Sequence, residues 1–219
     1  MEIIAIPDIH GDTKKLKRLA PVLESADLVL LVGDITNFGR EKEIRKLLDL
    51  VRQHNSTVMA VIGNCDFPEV EEVIDQEGLD LNGKCQVKDG LAFIGLSGSL
   101  ETPFHGTPNE VPDSYFKTHL TQGHTALPEN TPVVLVSHQP PINTSADRIK
   151  KGLHVGSTSV RQYIEQYQPL ICFTGHIHEG AGIDSIGNTK VVNPGPFFRG
   201  KYVKAVITHQ IETLEICSL

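Results

Sequence analysis

Short β-branched apolar runs alternate along this 219-residue chain with segments whose apolar residues recur at helical spacing. That alternation commits the chain to an α/β layout. Ile3 to Ile6 reads as a first strand ending at Pro7, and Thr13 to Ala20 as a helix with Leu16, Leu19 and Leu23 on one face, with Pro21 bending or ending it. Leu28 to Val32 and Val58 to Ile62 follow as strands. Between them Glu41 to Gln53 reads as a helix with Ile44, Leu47, Leu48 and Val51 on one face, and Pro68 opens a short third helix. Asp89-Gly90 between Gln86-Val87-Lys88 and Leu91 to Leu96 signals a two-residue hairpin. A long Gly/Pro/Thr-rich loop from Ser97 to Pro112 suggests a functional rim. Further strands are expected at Val133 to Val136, Leu170 to Phe173, Lys190 to Asn193 and Tyr202 to Thr208, with a helix over Thr158 to Tyr167 capped by Ser157. No repeat, linker or low-complexity stretch interrupts this order, so residues 1–219 are read as a single domain.

Composition limits the function classes. Acidic residues (27) outnumber Lys plus Arg (20), for a net charge of −7. That balance argues against a protein gripping long nucleic acid with its whole surface, and leaves a small phosphate ligand open if a metal supplies positive charge locally. The four cysteines (Cys65, Cys85, Cys172, Cys217) include no CxxC pair, so neither a disulfide framework nor a zinc ribbon is suggested. No apolar run approaches the roughly 18 residues that cross a bilayer, and no signal-peptide pattern follows Met1. A soluble, cytoplasmic protein without membrane partners is expected. The sequence leaves homo-oligomerisation open.

The chemistry lies where the strands end. Asp8 and His10 follow the first strand, Asp34 the second and Asn64 the third; His138 ends the strong strand, and His176 and His178 follow Leu170 to Phe173. Carboxyl ends of strands in an α/β sheet point to the side where ligands bind. Imidazoles with a few carboxylates suit divalent first-row metals such as Mn, Fe or Zn. Seven donors are too many for one tetrahedral ion, whereas one carboxylate can bridge a pair about 3.5–4 Å apart. Each residue alone has a plain reading as a turn, cap or core histidine. Their joint order and placement point to a dinuclear site.

Asp8-Ile9-His10, Gly33-Asp34, Gly63-Asn64-Cys65-Asp66, Val136-Ser137-His138 and Gly175-His176-Ile177-His178 together resemble the signature of the calcineurin-like metallophosphoesterase superfamily. GNCD and the small size resemble its compact prokaryotic phosphodiesterases. The resemblance implies a four-layer αββα sandwich and two divalent ions, Mn foremost, with Fe, Zn, Ni or Mg as alternatives. One ion would be held by Asp8, His10, Asp34 and His178, the other by Asp34, Asn64, His138 and His176. A hydroxide shared by the ions would attack phosphorus in line. Asp34, Asn64, Asp66 and His138 form the catalytic set on this reading, with Asp66 orienting the site rather than reacting.

One departure stands out. Many relatives carry His where this chain has Cys65, and a thiol is a weak hydrogen-bond donor. Activity should then favour good leaving groups or draw a proton from a loop residue such as His105 or His154. The resulting expectation is a phosphodiesterase, with monoesters also in reach, acting on a small phosphoester, nucleotide-like in one version. Two alternatives are a nuclease using Lys14, Lys15, Lys17 and Arg18, and a non-catalytic interaction scaffold on the same fold. Gly156 and Ser157, at a helix start, read equally well as phosphate-binding amides and as a plain cap.

Overall fold

The computed structural model describes residues 1–102, 106–150 and 152–219. Its first sheet grows from β1 (Glu2–Ile6), β2 (Leu28–Val32) and β3 (Val58–Val61), connected by α1 (Thr13–Ser25) and α2 (Glu41–Arg52) and followed by α3 (Pro68–Gln76). The chain then builds a second sheet. Its elements are β4 (Cys85–Lys88), β5 (Leu91–Leu96), the short pair β6 (Ser99–Leu100) and β7 (Glu110–Val111), α4 (Asp113–Thr125), β8 (Val133–Ser137), α5 (Thr158–Tyr167), β9 (Ile171–Thr174), β10 (Gly182–Ile186) and β11 (Thr189–Asn193). It returns to the first sheet with β12 (Lys201–Ile207) and β13 (Ile211–Ser218). The strand orders are β13-β12-β1-β2-β3 and β10-β11-β9-β8-β5-β4, with β6 and β7 paired separately.

The period of two in a strand explains the layering. In β2, Val29 and Leu31 face α1 to α3, while Leu28, Leu30 and Val32 face the other sheet. In β8, Val134 and Val136 join that same inner layer, and Val133 and Leu135 pack outward on α4 and α5. Three apolar layers thus separate helices, sheet, sheet and helices, which is the four-layer αββα sandwich. Strands β1, β2 and β3 run parallel, as do β5, β8 and β9, so the loops after them gather at the ends of the two sheets.

Several elements differ from the sequence reading. Helix α1 continues through Pro21 to Ser25: Leu23 stays buried, and Pro21 and Lys17 are both exposed, so water can satisfy the carbonyl that Pro21 leaves without a donor. Helix α4 and the strands β10 and β13 were not anticipated. In α4 only Phe116, Leu120 and Gly123 are buried, too sparse a stripe to stand out, and β13 is a half-exposed edge strand. The Ser97 to Pro112 segment contains the β6–β7 pair, and Asp89 (φ 49°) with Gly90 (φ 79°) makes the expected tight turn. All four cysteines are free. Among the described residues no helix is long and apolar enough to cross a membrane.

Candidate metal centre

The loops after β1 and β2 are joined by three backbone hydrogen bonds: Asp8 N–H to Gly33 O (3.1 Å), His10 N–H to Asp34 O (2.8 Å) and Gly11 N–H to Ile35 O (3.0 Å). Asp8, His10, Asp34 and His176 all have positive φ (45° to 65°), which non-glycine residues rarely adopt. Such backbone strain persists where surrounding bonds over-determine it, typically at functional sites. Glycines let these loops close up. A Cβ at Gly33 (φ 79°) would lie 2.2 Å from the His138 ring, and one at Gly63 would lie 2.1 Å from Asp34 Oδ1.

Asp34 is the hub. Its Oδ1 accepts from Cys65 N–H (2.7 Å), and its Oδ2 lies 3.5 Å from His10 Nε2 and 3.6 Å from His138 Nε2. His138 Nδ1 donates to Val32 O (2.9 Å), which turns Nε2 toward Asp34 and toward Asn64 Oδ1 at 3.2 Å. On the other side, His178 Nε2 is 3.4 Å from Asp8 Oδ1, and His176 N–H donates to the Asp8 carboxylate (3.2 Å). The His176 ring stands 5.2 Å from that of His138, and the His10 ring 5.6 Å from that of His178. All seven side chains named from the sequence therefore meet in one connected cluster.

The donors fit divalent cations. Groups bound to a common ion at about 2.0–2.2 Å stand roughly 2.9–3.6 Å apart, which spans the carboxylate–imidazole separations seen here. Among the described residues, three sets of donors have ligand atoms within 4.8 Å of one another: Asp8, His10 and His178; His10, Asp34 and Cys65; and Asp8, Asp34 and His138. Among the described residues, the buried His10 Nε2 has no hydrogen-bond partner, which fits a metal-ligating nitrogen.

Titration behaviour follows from this packing. Burial lowers the pKa of His10, although Asp34 and Asp8 oppose the shift. Burial and the neighbouring His138 take His176 down to about 4. For His138, burial disfavours the charge but the Asp34 carboxylate prevails, raising it to about 9. Burial likewise resists ionisation of Asp34, yet His138 and His10 hold its carboxyl well below the usual range. Burial and the charge of Asp34 push the Cys65 thiol far up, so it stays a neutral thiol.

Asp66 is fully buried and accepts four bonds: Ile35 N–H (3.0 Å), Thr36 N–H (2.8 Å), Thr36 Oγ1–H (2.7 Å) and Gly63 N–H (2.9 Å). It ties the loop after β2 to the loop after β3. Burial and Asp34 nevertheless raise it to about 6. His154 Nδ1–H donates to the buried Asp147 carboxylate (2.7 Å), and no described contact joins it to the cluster. His105 and Phe104 lie outside the described residues. The phosphate reading of Gly156 and Ser157 is overturned because their amides are taken: Gly156 N–H donates to Asp147 (2.9 Å) and Ser157 N–H to Pro140 O (2.8 Å). Asp113 likewise occupies Ser159 N–H (3.1 Å), leaving Ser157 as the helix cap.

Three contributors were missed. Asn193, fully buried, donates to Gly175 O (3.2 Å) and Ile177 O (2.9 Å) and so fixes the His176–His178 loop. Gln139, beside His138, accepts from Leu100 N–H (3.0 Å) and donates to Val155 O (3.0 Å), joining two rim segments. Phe198 packs edge-on against His10 (5.4 Å) and His178 (5.1 Å). The asparagine at a strand end before Pro-Gly was the one local signal available; the other two contacts are set by distant chain.

Known proteins resemble this chain in sequence and in fold. An uncharacterised protein of Methanocaldococcus jannaschii is 40% identical over 205 residues, covering 90% of this chain and 88% of its own length. A 3′,5′-cyclic-nucleotide phosphodiesterase of Nostoc is 23% identical over 165 residues, covering 75% of this chain and 60% of that protein. In structure, a dimetal phosphatase from Danio rerio matches the fold with a TM-score of 0.65 at 14% identity, over 100% of this chain and 95% of that one. The family model for calcineurin-like phosphoesterases matches residues 1–180, and the chain belongs to that family.

Proposed function

We propose that the protein is a phosphoesterase that needs two divalent cations, Mn foremost, and hydrolyses phosphodiester bonds of small phosphoesters. The observation that carries this reading is the convergence of Asp8, His10, Asp34, Asn64, His138, His176 and His178, with Asp34 Oδ2 between the His10 and His138 nitrogens. Asp8, His10, Asp34 and His178 would hold one ion, and Asp34, Asn64, His138 and His176 the other. When bound, the pair acidifies water and neutralises charge on the phosphoryl oxygens.

The remaining work falls to the chain. His138 is held by Val32 O, and Asp66 keeps two ligand loops in register, so the donors need no reorganisation. Cys65, with its raised pKa, gives only a weak hydrogen bond, and the leaving oxygen must depart with little help from it. Esters of acidic alcohols are the favoured substrates. The phosphodiesterase name of the Nostoc relative supports diesters over monoesters. Residues 1–219 act as one domain on this reading, and four free cysteines fit a reducing cytoplasm.

A polynucleotide substrate has one specific support, a cleft of about 550 Å³ lined by Lys17, Lys42, Arg45 and Lys46. Arg45 is already paired with Glu41 and Glu77, and Asp49 lines the same cleft, which favours the small substrate. The test is turnover of bis-aryl phosphate, aryl monophosphate, cyclic nucleotides and short oligonucleotides by stripped protein given Mn, Fe, Zn, Ni or Mg. Diester cleavage that appears only with metal and exceeds monoester cleavage is expected. Bound metal without turnover of any ester would favour a scaffold.

A further inference from the structure

The centre opens to solvent through a mouth of about 560 Å³, lined by His10, Asp12, Asn37, His178 and Phe198. Neither Asn64 nor His138 lines it. The segment between β5 and α4 is bonded instead straight onto the loop that carries Asn64. Gly98 N–H donates to Ile62 O (2.9 Å), Asn109 N–H to Asn64 O (3.1 Å) and Asn109 Nδ2–H to Gly63 O (3.2 Å).

The two bonds from Asn109 bracket a single residue. The peptide plane before Asn64 carries Gly63 O, and the plane after it carries Asn64 O and Cys65 N–H. Asn109 holds both planes, the first with its side chain and the second with its backbone amide. Cys65 N–H also donates to Asp34 Oδ1 (2.7 Å), so the second plane has two ties. Among the described residues the first plane has only the Asn109 side chain. Fixing both planes fixes φ and ψ at Asn64, and with them the direction in which its side chain leaves the backbone.

Asn64 depends on such support more than the other donors. Its amide oxygen is neutral, so no net charge draws it toward a cation. Asn109 is itself well anchored. Its carbonyl accepts from Ser99 N–H (3.2 Å), and Glu110 beside it accepts from Thr107 N–H (3.2 Å) and Thr107 Oγ1–H (2.7 Å). Gly98 (φ 80°) makes room for it, since a Cβ there would lie 2.9 Å from Asn109 O and 3.1 Å from Asn109 Nδ2.

We infer that Asn109 is a positioning residue for the inner ion, the one assigned to Asp34, Asn64, His138 and His176, and that it acts by locking the backbone of Asn64. This rests on the phosphoesterase reading for the assignment of that ion.

The test is equilibrium dialysis of Mn against the wild type, Asn109→Leu, Asn109→Ala and Thr107→Val, with Tm recorded for each stripped protein. Leucine keeps the bulk of asparagine and loses its donor, without adding charge. Both Asn109 variants should weaken one ion about 10-fold, as the loss of a bond supporting a ligand does, and leave the other unchanged. Repeated with His178→Ala present, which weakens the outer ion, the same 10-fold loss is expected, assigning it to the inner ion. Thr107→Val removes a bond from the same segment away from Gly63 and should leave both affinities as they were. Equal weakening of both ions, an unchanged inner ion, or the same loss in Thr107→Val overturns the inference and leaves the two-ion reading intact. A wild type that binds one ion overturns the two-ion reading, and the role of Asn109 then stands only if Asn109→Leu weakens that ion. A wild type that binds no divalent ion overturns both.

Discussion

The two sides of the cluster are built differently. Asp34, Asn64 and His138 are buried at 2%, 7% and 0% exposure and tied to each other and to backbone. His10 and His178 are partly open (15% and 31% for the side chains), face the mouth and lean on Phe198. Asp34 stands between His10 and His138, and Asp8 likewise falls in a donor group on each side. The inner groups are oriented by hydrogen bonds to one another and to backbone, whereas His10 and His178 stand at the solvent side and rest on Phe198. Preorganised ligands bind metal more tightly, so the inner position should fill first and release last.

Changing the shared residue has the largest expected effect. Asp34→Ala should remove both ions from the purified protein, measured by metal analysis, and lower diester turnover at least about 10³-fold. Full metal content in that variant would show that Asp34 bridges nothing. Cys65→His comes next, since Cys65 stands within the His10–Asp34 group. It should speed cleavage of poor leaving groups by about 10²-fold and leave Tm nearly unchanged, as read from rates across leaving groups of graded acidity.

His178→Ala sharpens the contrast between the sides. Equilibrium dialysis should show the outer ion weakened about 10- to 100-fold with the inner ion retained, and His138→Ala should show the reverse loss. Acidity acts mainly on the inner side. His138, raised to about 9, is protonated at neutral pH in the metal-free protein and must release that proton to ligate, while His176 near 4 is already neutral. Apparent affinity at the inner position should therefore rise about tenfold per pH unit up to about pH 9 and fall on acidification. Calorimetry in buffers of different ionisation enthalpy would register the released proton; its absence would contradict the assignment of His138.

This contrast also explains how much the sequence revealed. Asp8, Asp34, Asn64 and His138 each close a β-branched apolar run, so local pattern and strand geometry named them together. The inner layering was legible for the same reason, as the alternate residues of β2 show. Contacts made across the chain were not. Asp113 silences the amide at Ser159 from 46 residues away, and Asn193 secures the His176–His178 loop from 16 to 18 residues along the chain. Helix α4 escaped notice because only Phe116, Leu120 and Gly123 mark its buried face. Long-range hydrogen bonds leave no periodicity to read.

Anomalous diffraction from crystals of the Mn-loaded protein tests the central claim most directly. Two peaks about 3.5–4 Å apart are predicted, one on each side of the Asp34 carboxylate, with the outer peak weaker at limiting metal. A single peak, or two peaks that share no Asp34 oxygen, would contradict the account.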